Sequence, residues 1–473
     1  MKRDLCTICT QQLLTHKRMK FSWSNTVFPI AAIFSFRMLG LFLLIPVFTV
    51  EANAMQGATP TLIGLALGAY GLTQGLLQMP FGMLSDKFGR KPLLTLGLIL
   101  FVCGSLVGAL TESIYGMILA RTLQGTGAIG SVLIALLADL TPDEQRTKAM
   151  AVIGMTIGTS FSLAMVLSPA ITHQFGLPGI FYLTAVLASL GLILLHIVIP
   201  NPVKECFHAD SEANAALIMP VISNRHLQRL NLGIFCQHFI LTSTFFAIPF
   251  ILNQQVQQGH LAAQWHFYLP LMVFSFLAMI PFIILAEKKK LMKPVFTMSV
   301  LVTALAQFFL VSSSQSWLGL CSLMFFYFIA FNILEASLPS LVSKQANPKS
   351  KGTAMGIYST SQFLGLFVGG ALAGVLYQYQ GSQGIFMINA LLGLIWFVTS
   401  LSMQPYVYFS LLTIPLTNKS TTQMDRLIDQ LLVVAGVKEV SFSDEDKLLY
   451  LRIDKAVYQP GSAENILASL ADN

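Results

Sequence analysis

Apolar runs of bilayer length, separated by short polar punctuation, recur along most of the chain. About 20 apolar residues in a helix match the hydrocarbon thickness of a membrane. On that measure spans fall at 27–50, 61–84, 92–110, 114–140, 148–172 and 178–200. A polar connection over 201–224 follows, carrying Lys204, Glu205, Asp210 and Glu212, and a second set lies at 226–252, 264–286, 294–314, 317–343, 352–377 and 383–404. The pattern therefore predicts an all-α membrane bundle of twelve transmembrane helices in two six-helix halves, 26–200 and 225–405, behind a polar, basic tail over 1–25. The first apolar run, starting near Thr26, is too long for a signal-peptide core and reads as a helix that stays. Two short echoes, Lys91-Pro92 in Lys293-Pro294 and Ala149-Met150 in Ala354-Met355, recur about 200 positions apart. They suggest parallel repeats about an axis along the membrane normal.

After Pro405 the pattern changes from membrane to water. Residues 409–416 read as a strand, Thr421–Ala435 as an amphipathic helix capped by Thr421 or Thr422, 437–442 and 447–453 as a hairpin around Ser443-Asp444-Glu445-Asp446, and Ala463–Ala471 as a last helix. That order fits a small α+β ferredoxin-like domain over 406–473. Metal-carrying domains of this kind place paired cysteines at the first strand-to-helix turn. Here that turn is Leu416-Thr417-Asn418-Lys419-Ser420, so regulation or self-association is the expected use, not metal transfer.

Composition narrows the class. The 473 residues are 55% hydrophobic and 10% charged, with mean hydropathy +0.69, where soluble domains carry about 25% charged residues. The net charge of +7 does not point to nucleic acid, because the basic residues sit in turns between apolar runs. Lys87, Arg90, Lys91, Arg146, Lys148, Lys204, Arg225, Arg229, Lys288, Lys289, Lys290, Lys293, Lys344, Lys349 and Lys351 all follow even-numbered spans. Both termini are therefore expected on the cytoplasmic side. The six cysteines form no disulfide framework. Cys6-Thr7-Ile8-Cys9 alone is too little for a metal site, and no cofactor is expected. A phosphate-binding loop, a nucleophile elbow and a metal-ligand helix motif are all missing, which argues against an enzyme and against nucleotide-driven transport.

The stretch Gly82-Met83-Leu84-Ser85-Asp86-Lys87-Phe88-Gly89-Arg90-Lys91-Pro92 reads as a short charged loop between two spans, its glycines permitting a tight turn and its acid and arginine able to pair. It resembles the Gly-x-Leu-x-Asp-x-x-Gly-Arg-(Arg/Lys) loop of the major facilitator superfamily of transporters. Ser35–Gly40, Leu123-Gln124-Gly125-Thr126-Gly127-Ala128-Ile129 and Gly352–Gly365 resemble proton-driven efflux members of that family. The resemblance implies a conformational latch made by Gly82, Asp86, Gly89, Arg90 and Asp139, with Asp139 ending the fourth span where it meets Arg90 and Asp86 near the start of the next element. Purely orienting charges would look similar. The second half keeps only Lys293-Pro294, with Lys288–Lys290 in place of the acid and arginine, so the latch is one-sided. Ser168-Pro169-Ala170, with Gly154 and Gly158 upstream, is a degenerate form of the antiporter signature.

Ionisable residues inside spans are the candidates for coupling. A charge at a helix centre costs about 2.5–3.5 kcal/mol, so Arg37 and Arg121 should face a cavity or a partner. Backbone carbonyls of a neighbouring helix would serve as well. Arg121 with Gln124, Gly125 and Gly127 resembles the family's Arg-x-x-Gln-Gly-x-Gly signature, which the family associates with proton movement. Glu335 is the one acid well inside a span of the second half, where desolvation favours its neutral form and makes it a proton carrier. His238 could share that task or simply be a satisfied hydrogen-bonder. Gln74, Gln78, Gln307, Asn332 and Gln362, interleaved with Phe246, Phe250, Phe331 and Tyr358, are expected to line a central cavity, although helix-packing glutamines would look the same. Such a cavity suits a lipophilic or weakly cationic solute. The expected activity is proton-coupled efflux of a small solute across a bacterial inner membrane. Proton-coupled uptake, or a sensor or scaffold built on the tail domain, are the alternatives.

Overall fold

The computed structural model describes residues 22–201, 215–347, 350–403, 409–415, 421–443, 448–454, 457–463 and 465. Helices α1 (Val27–Phe42), α2 (Phe48–Ala52), α3 (Pro60–Phe88), α4 (Arg90–Leu110), α5 (Ile114–Thr126), α6 (Gly130–Leu140) and α7 (Asp143–Ile197) come first. After a short α8 (Ile218–Ser223) follow α9 (Arg225–Gln257), α10 (Trp265–Lys288), α11 (Met292–Ser313), α12 (Trp317–Gln345) and α13 (Lys351–Leu401). Lipid offers no partner to a backbone amide, so apolar segments must satisfy their amides internally as helices. Polar residues start them. The Leu62 N–H donates to Thr59 Oγ1 at 3.2 Å ahead of Pro60, and Asn224 Oδ1 accepts from the His226 and Leu227 amides at 2.9 and 3.3 Å.

Among the described residues nine helical stretches are long and apolar enough to cross a membrane, and the shorter Val27–Phe42 is also apolar. Two of the nine, Lys148–Ile197 and Lys351–Leu401, have 50 and 51 residues. At 1.5 Å per residue each would be about 75 Å long, far beyond a bilayer core of about 30 Å. Each breaks once, at Gly176 (φ 63, ψ −170) and Gly381 (φ 65, ψ −159). Those breaks fall in the gaps expected between 148–172 and 178–200 and between 352–377 and 383–404.

The two halves meet along α3 and α13. Glycine at 64 and 374 brings the backbones into contact, since a Cβ at Gly64 would collide with Gly370 O and one at Gly374 with Pro60 O. Thr61 Oγ1 donates to Gln378 Oε1 at 2.6 Å, and four turns along Thr360 Oγ1 donates to Gly75 O at 3.1 Å. At the same end Leu43, Leu44, Phe48 and Ala52 share an apolar core with Phe245, Phe246, Ile248 and Leu252. Towards the other end the surroundings of the glycines differ. At Gly82 the neighbour of α3 is Ser131 of its own half, and Gly154 and Gly158 of α7 have open space where a Cβ would project.

The described residues up to Ile283 together with those of Phe296–Met403 form one compact unit; Ile284–Val295 with the described residues after Met403 form a second. In the latter, β1 (Phe409–Pro415), α14 (Thr421–Leu432), β2 (Val437–Ser443) and β3 (Leu448–Asp454) give a sheet of order β1-β3-β2 with both pairings antiparallel. Leu449, Leu451 and Ile453 alternate onto one face and pack with Leu427 and Leu431 of α14. The expected turn at 416–420, the hairpin tip at 444–446 and most of the last helix lie outside the described residues.

Candidate functional site

The charged stretch at 82–92 is not a loop. Helix α3 continues through Gly82 and Asp86 to Phe88, only Gly89 leaves helical geometry (φ 92, ψ 150), and α4 starts at Arg90. Asp86 thus stands in the last turn of α3, not at the start of the next element. A glycine with positive φ ends one helix and opens the next without spending further residues. Across this corner the Arg90 guanidinium, 1% exposed, donates from Nε to Asp139 Oδ2 at 3.0 Å and from Nη1 to Ser85 Oγ at 2.7 Å and to Asp86 Oδ1. The Asp139 side chain is fully buried and that of Asp86 is 31% exposed. Beside them Ser131 Oγ donates to Gln78 O at 2.7 Å, and a Cβ at Gly82 would come within 3.2 Å of that hydroxyl. All these residues belong to the first half. The ion pairs tie α3, α4 and α6 into one body.

Arg37 and Arg121 are each 2% exposed and meet at a residue the sequence did not single out, Tyr70. Arg37 Nη2 donates to Tyr70 Oη at 2.9 Å, while the Arg121 guanidinium carbon lies 4.8 Å from the centroid of the same ring. Arg121 Nη1 also donates to Gln124 Oε1 at 2.7 Å, and Gln124 Nε2 donates to Ser105 Oγ at 2.9 Å. Glycine at 125 allows this, because any Cβ there would collide with Thr73 Oγ1 and Tyr70 O, so α5 lies directly on α3. Gln74 and Gln78, one and two turns beyond Tyr70 on the same face, pair with each other at 2.9 Å. That spacing of four was the available signal for Tyr70.

In the second half His238, 5% exposed, has Nε2 at 2.7 Å from Gln362 Nε2 and at 3.9 Å from Glu335 Oε2. Gln237 Nε2 donates to Glu335 Oε2 at 3.4 Å and to Phe331 O at 3.1 Å. The Glu335 side chain is 31% exposed, and the buried Tyr358 lies within reach of its charge. Phe331 approaches the His238 ring at 6.4 Å and stacks on Phe161 of the first half at 5.8 Å. The two ionisable groups are linked through consecutive residues of α13: Gln362 meets His238, and Phe363 meets Tyr70 edge-on at 6.3 Å.

The other expected lining residues make separate sets of contacts. Asn332 Nδ2 donates to Ser275 Oγ at 3.3 Å. Gln307 is fully buried in a network in which its Oε1 accepts from Thr244 Oγ1 and Asn389 Nδ2 at 3.3 and 3.1 Å, and Ser243 Oγ donates to Asn389 Oδ1 at 2.6 Å. Phe246, also fully buried, and Phe250 pack on Tyr377 at 5.5 and 4.9 Å. These three hold helices together, because a polar or aromatic position on an inward helix face serves packing as readily as a ligand. Ser243, Thr244, Asn389, Gln237 and Tyr377 carried no sequence signal beyond ordinary core composition.

The model of the Major Facilitator Superfamily matches residues 30–288 and 230–422. The chain belongs to the major facilitator superfamily. It is 42% identical over 429 residues to the inner membrane transport protein YajR of Escherichia coli (strain K12), covering 90% of this chain and 94% of the relative. It is 25% identical over 374 residues to the quinolone resistance protein NorA of Staphylococcus aureus (strain COL), covering 74% and 89%. Among solved structures, a bacterial homologue of the human lysosomal transporter Spinster aligns with TM-score 0.64 at 13% identity, over 79% of this chain and 95% of that one. The fold is accordingly that of this superfamily, and the protein is a multi-pass membrane transporter of a small molecule, not an enzyme.

Proposed function

We propose that this major facilitator protein exports a small lipophilic organic solute in exchange for protons, by alternating access between its two halves. The observation that carries the reading is the Glu335–His238 pair, held by Gln237 and Gln362 in the second half and joined through Gln362 and Phe363 to the Arg37–Tyr70–Arg121 group of the first. A carboxyl beside an imidazole, partly open to one side, takes or releases a proton as water access changes, and a side chain on either arm of the link registers which half has moved.

Counting Lys148–Ile197 and Lys351–Leu401 as two crossings each, and Val27–Ala52 as one, brings the nine stretches to twelve spans. With basic residues setting the cytoplasmic side, the end at Thr61 and Gln378 faces outward and is closed, while the end at Asp86 is open to the cytoplasm. Solute then loads from inside as Glu335 releases its proton there, and in the outward-open state Glu335 takes a proton from outside, which the inward gradient carries back as the halves return. The Arg90 corner keeps the first half rigid through that swing and presents the end of α3 to the second half when the inner side shuts. Similarity to an inner membrane transport protein and to a quinolone resistance protein favours a bacterial inner membrane and export. The β1-β3-β2 order, a strand–helix–strand unit split by a third strand, favours a ferredoxin-like tail used for regulation or self-association.

The test is Glu335→Gln in proteoliposomes under an imposed pH gradient. Folded protein whose solute exchange no longer follows the gradient supports the reading. Exchange that still follows it removes Glu335 from the coupling.

A further inference from the structure

We propose that the Arg37–Tyr70–Arg121 group binds the carboxylate of an organic anion, so that the solute of the transport reading above, on which this rests, is a lipophilic acid. Both guanidiniums are almost wholly buried, and the Nε of each has no hydrogen-bond partner. Arg37 is held by one phenol oxygen, and Arg121 by one amide oxygen and a ring face. Among the described residues neither has a carboxylate within ion-pair distance. Arg90 supplies the contrast within the same half: equally buried, it is engaged by Asp86 and Asp139. There two acids match the buried arginine. Two desolvated cations sharing one tyrosine, with donors unused, are a receptor lacking its anion.

A second feature converges there. Helix α6 starts at Gly130 with Ile129 as its N-cap, and no side chain caps it. Gly130 leaves its first turn open to Arg37, whose Nη1 lies 3.4 Å from where a Cβ would stand. The positive end of a helix and a guanidinium so placed favour a single negative group. Beside it lie aromatic and apolar side chains, with Phe363 edge-on to Tyr70 and Leu366 in the same apolar cluster. A planar carboxylate on an apolar body fits both the guanidinium fork and this lining. A cationic solute, which an aromatic cavity alone would admit, meets two fixed positive charges here.

The test uses the full chain purified in detergent, with thermal unfolding measured against naphthoate, indoleacetate and decanoate, and against naphthamide, naphthylmethylamine and inorganic phosphate. At least one acid should raise the melting temperature in a dose-dependent way while the amide and amine do not. Arg37→Gln and Arg121→Gln should each weaken that response by about tenfold or more. Should the arginine variants fail to fold, Gln74→Glu decides. It sets a carboxylate one turn from Tyr70, and should fold with a raised melting temperature and lose the response to acid. No response to any of the acids, an equal response to amide or amine, a response to phosphate alone, or an unaltered acid response in Gln74→Glu would overturn the assignment. Binding is read without a pH gradient, so the two readings fail separately. Acid binding with gradient-blind exchange removes proton coupling and keeps the site, whereas gradient-driven export without acid binding removes the site alone.

Discussion

Gln362 Nε2 stands 2.7 Å from Nε2 of the buried His238 imidazole. Replacing Gln362 by leucine roughly keeps the volume and removes the contact, leaving Nε2 with Glu335 Oε2 at 3.9 Å. A buried polar group stripped of its partner costs about 1–3 kcal/mol. The expected result for Gln362→Leu is a stability loss of that order in thermal unfolding, with solute exchange less responsive to pH. Unchanged stability would mean that the His238 ring finds water or another partner.

The two acids of the Arg90 corner should behave very differently when removed. Asp139 is fully buried against Arg90, so Asp139→Ala leaves a buried guanidinium short of a counter-charge, and breaking such a pair costs about 3–5 kcal/mol. Asp86 is partly exposed and lies on the same helix corner, where screening limits a pair to about 0–1 kcal/mol. Thermal unfolding of Asp139→Ala and Asp86→Ala side by side checks this ordering. Equal losses would show that solvent does not reach Asp86.

Gly89 carries the corner itself. At φ 92 and ψ 150 it occupies backbone space that a side chain strains, at a cost of about 1–3 kcal/mol. Gly89→Ala should therefore lower stability by that amount although the position contacts no solute, and it should loosen the Arg90–Asp139 pair. The measurement is thermal unfolding alongside Asp139→Ala, with the double variant losing less than the sum of the two because both act on one corner.

How much of this was legible in the sequence depends on which physical quantity each residue reports. Length of apolar run shows a bilayer crossing, and the breaks at Gly176 and Gly381 fell where the runs parted. Glycines and charges in a row, by contrast, look like a loop whether they turn the chain or only end a helix. An acid and an arginine four apart straddle Gly89 and bury their contact, so a single residue does the turning. Rarity made Arg37, Arg121, Glu335 and His238 conspicuous in apolar spans. Tyr70 was hidden because a tyrosine in such a run is ordinary core, and its role depends on two arginines arriving from other helices. Phe246 and Gln307 were expected at a cavity and lie fully buried against Tyr377 and Asn389, since periodicity marks the inward face without saying whether a space or a neighbour lies there.

The closed end of the cleft gives the most direct test of alternating access. Gly374 packs on Pro60 O and Gly64 Cα, so a side chain at 374 cannot be accommodated while α3 and α13 remain in contact. The clash falls on atoms of the other half, Pro60 O and Gly64 Cα, and not within the second half itself. Gly374→Val should therefore fold and populate the conformation in which this end is parted. Spin labels at Thr61 and Gln378, whose side chains hydrogen-bond at 2.6 Å when the end is shut, report the separation directly. The distribution should move to longer distance in Gly374→Val, and solute exchange should slow because one of the two states is no longer reached. An unchanged distribution would mean that the helices slide to absorb the side chain. The glycine contact would then be packing alone and not the hinge line on which the halves close.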